Sequence, residues 1–123
     1  MYFFDNPISP RLVNILRELD VEAQHLTERF SPSERDITWI RHAGNEGWVV
    51  VTLDHAIRHN EAERTALRQN RVRAIFLPKT FSKLGIWGQA EWLLRHWQKI
   101  DQQVQQLPLG AVADVSHRGM LSR

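Results

Sequence analysis

Two hydrophobic runs end in aspartate: Tyr2-Phe3-Phe4-Asp5 and Trp48-Val49-Val50-Val51-Thr52-Leu53-Asp54. A helix-like segment follows each run, so both read as strands of an alternating α/β chain. Strands lying parallel in one sheet bring both carboxylates out at the same edge, where open α/β sheets bind their ligands. Asp36 joins them, because right-handed crossovers set helix N-termini at the edge where strands end. Oxygen donors gathered with few bases suit a hard divalent cation. Mg²⁺ takes oxygen ligands at about 2.0–2.1 Å and keeps several waters, so two or three carboxylates are enough. An ion held there would activate water and neutralise charge developing at phosphorus, which points to metal-assisted phosphate chemistry. The ordinary alternatives are a turn former for each strand-end aspartate and, for Asp36, an acid favoured by the helix dipole by about 0.3–1 kcal/mol. These explain each acid singly but not a common edge.

The elements that must position these acids follow from the pattern. After the first strand, Ser9-Pro10 gives an N-cap and a first-turn proline, and Leu12, Ile15, Leu16 and Leu19 recur at helical spacing. A short second strand is expected within Glu22–Leu26. Ser31-Pro32-Ser33-Glu34 reads as a capping box opening a helix with Ile37, Ile40 and Ala43 inward, stopped by Gly44 or Gly47. Trp48–Leu53 is the third strand, Asn60-x-x-Glu63 a second capping box, and Val72–Leu77 the fourth strand. From about Ile86 the longest helix carries Ile86, Ala90, Leu93, Trp97, Ile100, Val104 and Leu107 on one stripe, facing the core or a partner helix. Ala111–Val115 is a last strand, and Ser116–Arg123 a basic, mobile tail. The expectation is one α/β domain over residues 1–123 with a mainly parallel sheet covered by helices on both faces.

Length and composition agree with that class. The chain has 123 residues, 42% hydrophobic and 24% charged, enough for a core and unlike a disordered segment. It has no cysteine, which removes disulfides, thiolate metal sites and cysteine nucleophiles. No long apolar run and no leader pattern is seen, so a cytoplasmic protein with no membrane partner is expected. The formal charge is +2, unevenly spread: residues 1–60 hold 9 acids and 6 bases, residues 61–123 hold 5 acids and 10 bases. Arginine supplies 13 of the 16 bases, and its planar fork matches phosphate.

Taken together, Phe3-Phe4-Asp5-Asn6-x-x-Ser9-Pro10-Arg11, Asp36-x-x-Trp39-Ile40 and Gly47-Trp48-Val49-Val50-Val51-Thr52-Leu53-Asp54 resemble a PIN-like domain, with likeness to the group around the VapC-type ribonuclease toxins. The resemblance implies a three-layer α/β/α fold and Mg²⁺- or Mn²⁺-dependent endonucleolytic cleavage of RNA, with Asp5, Asp36 and Asp54 as catalytic metal ligands. Asn6, Arg11, Arg58, Asn60 and Lys79 are the expected substrate contacts. It also brings in a toxin's partners, an antitoxin protein or a second copy of the chain. The departure from the pattern is Pro78-Lys79-Thr80-Phe81-Ser82-Lys83, where such domains often set a further acid; Glu91 or Glu61 would be its substitutes. A PIN-like binding module that has lost catalysis therefore stands as the second reading. A phosphoryl-accepting receiver with Asp54 as acceptor and Lys79 as clamp is the third, weakened by Asp5-Asn6 where receivers pair two acids.

Other residues have plainer roles. His55 and His59 read as surface histidines beside the acidic edge, for want of a third nitrogen ligand. Arg64, Arg68, Arg71 and Arg73 form a basic run whose default is a solvated face, and Arg118 and Arg123 in the tail are further phosphate candidates. Of five tryptophans, Trp39, Trp48, Trp87 and Trp97 fit element interiors. Trp92 falls off the main stripe and suits either a partner or the chain's own tail.

Overall fold

The computed structural model describes every residue from 1 to 123 except the side chain of residue 58, whose backbone alone is placed, within a helix. Six strands form one sheet: β1 (Tyr2–Phe4), β2 (Ala23–His25), β3 (Val49–Thr52), β4 (Arg73–Phe76), β5 (Val112–Val115) and β6 (Leu121–Ser122). Their spatial order is β2-β1-β3-β4-β5-β6, parallel throughout except for the antiparallel β5–β6 pair. The helices are α1 (Pro10–Glu18), α2 (Asp36–Glu46), α3 (Ala56–His59), α4 (Glu61–Gln69) and α5 (Gly85–Val104).

Strand alternation sorts the core into two layers. Tyr2, Phe4, Val49, Val51, Ile75 and Ala113 face α1 and α5, meeting Leu12, Leu16, Leu93, Trp97 and Ile100. Phe3, Val50, Ala74 and Phe76 face the other way, onto Trp39, Ile40, Ala43, Ala66 and Leu67 of α2 and α4. The three-layer α/β/α expectation holds. β1 is only three residues long, yet it is buried throughout and paired on both sides, which fixes the residue that follows it.

Local signals explain most boundaries. Ser9 caps α1 by accepting from the Arg11 N–H, with Pro10 in the first turn. α2 ends at Gly47, whose φ of +72° is the left-handed geometry of a helix stop. Gly44 has another role: a Cβ there would lie 2.5 Å from the Asn70 carbonyl oxygen, so this glycine lets α2 approach the end of α4.

Three details differ from the sequence reading. The Ser31 box does not cap a helix: the Ser31 hydroxyl accepts from the Ser33 N–H and meets the Ser33 hydroxyl, closing a turn, and α2 begins at Asp36. Trp87 is 88% exposed, because the inward stripe of α5 runs through Leu93, Trp97, Ile100 and Val104. The tail is ordered by β6. Gln103 accepts from the Leu121 N–H and donates to the Gly119 carbonyl, while Trp92 donates to the His117 carbonyl. Trp92 thus packs on the chain's own tail.

Candidate acidic site

Register decides where the acids emerge. Phe4 lies beside Val51, so Asp5, one residue later, is level with Thr52 at the carboxyl end of β3. Asp54 follows two residues beyond Thr52. The N-termini of α2 and α4 reach the same edge, bringing Asp36 and Glu63 to it.

Asp5 is 5% exposed and held from two sides. The Thr52 hydroxyl donates to its Oδ2 at 2.7 Å, and the Asn6 backbone N–H donates to its Oδ1 at 2.7 Å. The same Thr52 hydroxyl accepts from the Asp54 N–H at 2.9 Å, so one side chain ties the ends of β1 and β3 together. Asp54 Oδ1 accepts from the Ala56 N–H at 3.0 Å, which turns the chain into α3. Asp36 Oδ1 accepts from the indole N–H of Trp39 at 3.0 Å, and that ring is buried, so this carboxylate is aimed by a core residue.

Glu63 is the member the sequence reading missed. Asn60 accepts from the Glu63 N–H at 3.0 Å, which is half of a capping box. The return bond is not made, since the Asn60 N–H already donates to Ala56 and Ile57 in α3. The Glu63 carboxyl is left to face the other acids. Its pKa is pushed up to about 7, first by burial, then by hydrogen bonding with Asp36 and the charge of Asp36, then by the charges of Asp54 and Asp5. Asp5 is also raised, first by burial and further by Asp36 and Asp54, against the lowering by its Thr52 and Asn6 bonds. Four carboxyl groups from four elements therefore share one edge, and their mutual repulsion adds to burial in raising Asp5 and Glu63.

The donor set fits a hard divalent cation, being all carboxylate oxygen with unbalanced negative charge. In its present geometry, no group of three or more His, Asp or Glu side chains among the described residues is gathered tightly enough to hold an ion.

The remaining candidates divide. Asn6 contributes its backbone N–H to Asp5, and its side chain is exposed. Arg11 is exposed in the first turn of α1, with its N–H on Ser9. Asn60 is a helix cap. Lys79 lies with His55, His59, Arg64 and Asp114 around a neighbouring cleft of about 470 Å³. His55 Nε2 is 3.0 Å from the Leu77 carbonyl oxygen. The Arg58 side chain lies outside the described residues. Neither substitute for the further acid is in the cluster: Glu91 pairs with Arg95 on the solvent face of α5, and Glu61 lines a separate groove with Ile37 and Arg41. Glu63, two residues from Glu61, is the further acid at this edge.

The mostly parallel sheet between two helical layers is a three-layer α/β fold, and one comparison names its family. A family profile described as a PIN like domain matches residues 1–79, from β1 through Lys79, so the chain belongs to the PIN-like family. The chain matches no curated protein and no solved structure. No helix among the described residues is long and apolar enough to cross a membrane.

Proposed function

We propose that this PIN-like domain is a metal-dependent endoribonuclease whose catalytic carboxylates are Asp5, Asp36, Asp54 and Glu63. The observation that supports it most is the gathering of Asp5, Asp36, Asp54 and Glu63 from four elements at one sheet edge, where Glu63 is raised first by burial and then by the other three acids. Bound Mg²⁺ or Mn²⁺ would supply a polarised water and charge neutralisation at phosphorus. The chain's own residues do the rest. Thr52 and the Asn6 N–H fix the Asp5 carboxylate, Trp39 orients Asp36, and Asn60 presents α4 so that Glu63 faces inward. Glu63, with its pKa near 7, is suited to exchange a proton with water at the edge near neutral pH. Asn6 and Arg11 flank the edge on the α1 side and Lys79 on the β4 side, which suits contacts to the phosphates beside the cut.

The test is cleavage of single-stranded RNA with Mn²⁺ or Mg²⁺ against EDTA. The parent should cut, and Asp5→Asn and Asp54→Asn should be inactive while retaining their circular dichroism. A protein that binds RNA but cuts none with either metal favours the second reading, a PIN-like binding module. The biological setting we propose is cytoplasmic, as the toxin of a toxin–antitoxin pair of VapC type, acting alone or as a homodimer. Growth arrest on expression, relieved by a small protein encoded beside it, would support that role; harmless expression of an active nuclease would remove it.

A further inference from the structure

Beside the acidic edge, basic side chains line two clefts that share one residue. The first, of about 470 Å³, holds His55, His59, Lys79 and Arg64. The second, of about 430 Å³, holds Arg64, Arg68 and Arg123 over a floor that includes Phe76 and Val112. Arg64 borders both, so the two clefts lie side by side along α4. The fold explains the trough. Ala113 and Val115 of β5 lie in the core layer with α5 and are buried, whereas Val112 and Asp114 alternate with them and are only half-buried, Val112 packing at the margin of the α2 and α4 layer. Arg64 and Arg68 stand one turn apart on the flank of α4, about 6 Å along its axis. β6 returns the tail so that Arg123 closes the far side.

The charges in the trough are available. Arg17 pairs with Glu28 and Arg95 with Glu91, but among the described residues no acid pairs with Arg64, Arg68, Arg123 or Lys79. Asp114 is the acid in the first cleft, and it already has an interaction of its own. Asp5 and Asp54 emerge at the ends of β1 and β3, whereas the bases of the trough lie towards β4 and β5, with Asp114 among them. A polyanion therefore has one favourable course away from the acids.

We infer that the trough is a track for the phosphate backbone of a single nucleic-acid strand, in which Lys79, Arg64, Arg68 and Arg123 hold phosphates leading away from the acidic edge. Arginine forks suit this, since they bind phosphate oxygens in pairs irrespective of base. The inference rests on the acidic edge being the cutting end, but strand binding can be measured without cleavage.

The experiment is fluorescence anisotropy of a labelled 12-nucleotide single strand in EDTA, over a salt series, with RNA, DNA and duplex DNA arms. Two doubly substituted proteins of equal charge are compared: Arg68→Gln with Arg123→Gln in the trough, and Arg41→Gln with Arg95→Gln away from it. The trough pair should weaken single-strand binding at least tenfold at moderate salt. It should also flatten the dependence of log K on log salt by about 1.4, at about 0.7 per phosphate contact. The distal pair should stay within about twofold. Equal binding of RNA and DNA single strands marks backbone recognition, and tighter RNA binding marks contacts to the 2′-hydroxyl; both support the track. Equal weakening by the two pairs, no binding by the parent at low salt, or preference for the duplex overturns it. Trough-dependent binding without cleavage in Mn²⁺ would remove the nuclease proposal and leave the track. Cleavage with binding indifferent to Arg68 and Arg123 would do the reverse.

Discussion

Replacing Glu63 by glutamine removes one negative charge from the acidic edge while keeping shape and helix preference. In the folded protein this carboxyl titrates at about 7 rather than 4.5, so the folded state holds its proton more tightly than the unfolded chain. Between those values the folded state binds more protons, and stability must fall as pH rises. The relative stabilisation is complete below pH 4.5 and gone above about 7. A rise of that size corresponds to at most about 3.5 kcal/mol. Glu63 is only partly buried, and solvent screening reduces the expected effect to about 1 kcal/mol. Glu63→Gln should therefore match the parent near pH 4.5 in EDTA and exceed it by about 1 kcal/mol at pH 8, or about 4 °C in Tm. Urea unfolding at the two pH values reads the difference directly. A variant equally shifted at both pH values, or less stable than the parent at pH 8, would show that Glu63 does not face the other acids.

Other substitutions probe the supports. Thr52→Val keeps the shape but loses the hydroxyl that joins Asp5 to the Asp54 N–H, and should cost about 1.5–3 kcal/mol in urea unfolding at pH 7, with Thr52→Ser recovering most of it. Gly44→Ala sets a methyl 2.5 Å from the Asn70 oxygen; forcing α2 from α4 should cost about 1–3 kcal/mol, seen as a lower Tm. The alternative, a gain of stability from alanine's helix preference, would show that the helices separate freely. Asp54→Asn should raise the Tm in EDTA at pH 8 by relieving repulsion on Asp5 and Glu63, worth about 0.5 kcal/mol at a solvated edge. An unchanged or lower Tm would mean that the carboxylates are not clustered.

The fold was readable because its signals are local: strand runs ending in Asp5 and Asp54, the Ser9-Pro10 start of α1, the apolar stripe of α5. The topology that brings Asp5, Asp36 and Asp54 to one edge follows from the handedness of parallel crossovers alone. Glu63 escaped because a capping box already accounted for it. The rule that placed Asp36, an acid in the first turn of a helix after a strand, applies equally to α4. What hid it was tertiary: α3 takes the Asn60 N–H and frees the Glu63 carboxyl. β6 is two residues long and has no pattern to detect; only its pairing with β5 orders the tail and brings Arg123 beside Arg64 and Arg68. Trp87 was misplaced because hydrophobicity alone does not reveal which face a residue takes near the start of a helix.

The account stands on the four carboxyl groups forming a common seat for one kind of cation. Calorimetric titration of the metal-free protein with Mn²⁺ at pH 7.5 measures this directly. It should reveal saturable binding with release of protons, lost in Asp5→Asn and weakened in Glu63→Gln. No binding by the parent, or binding that survives removal of Asp5 unchanged, would contradict it.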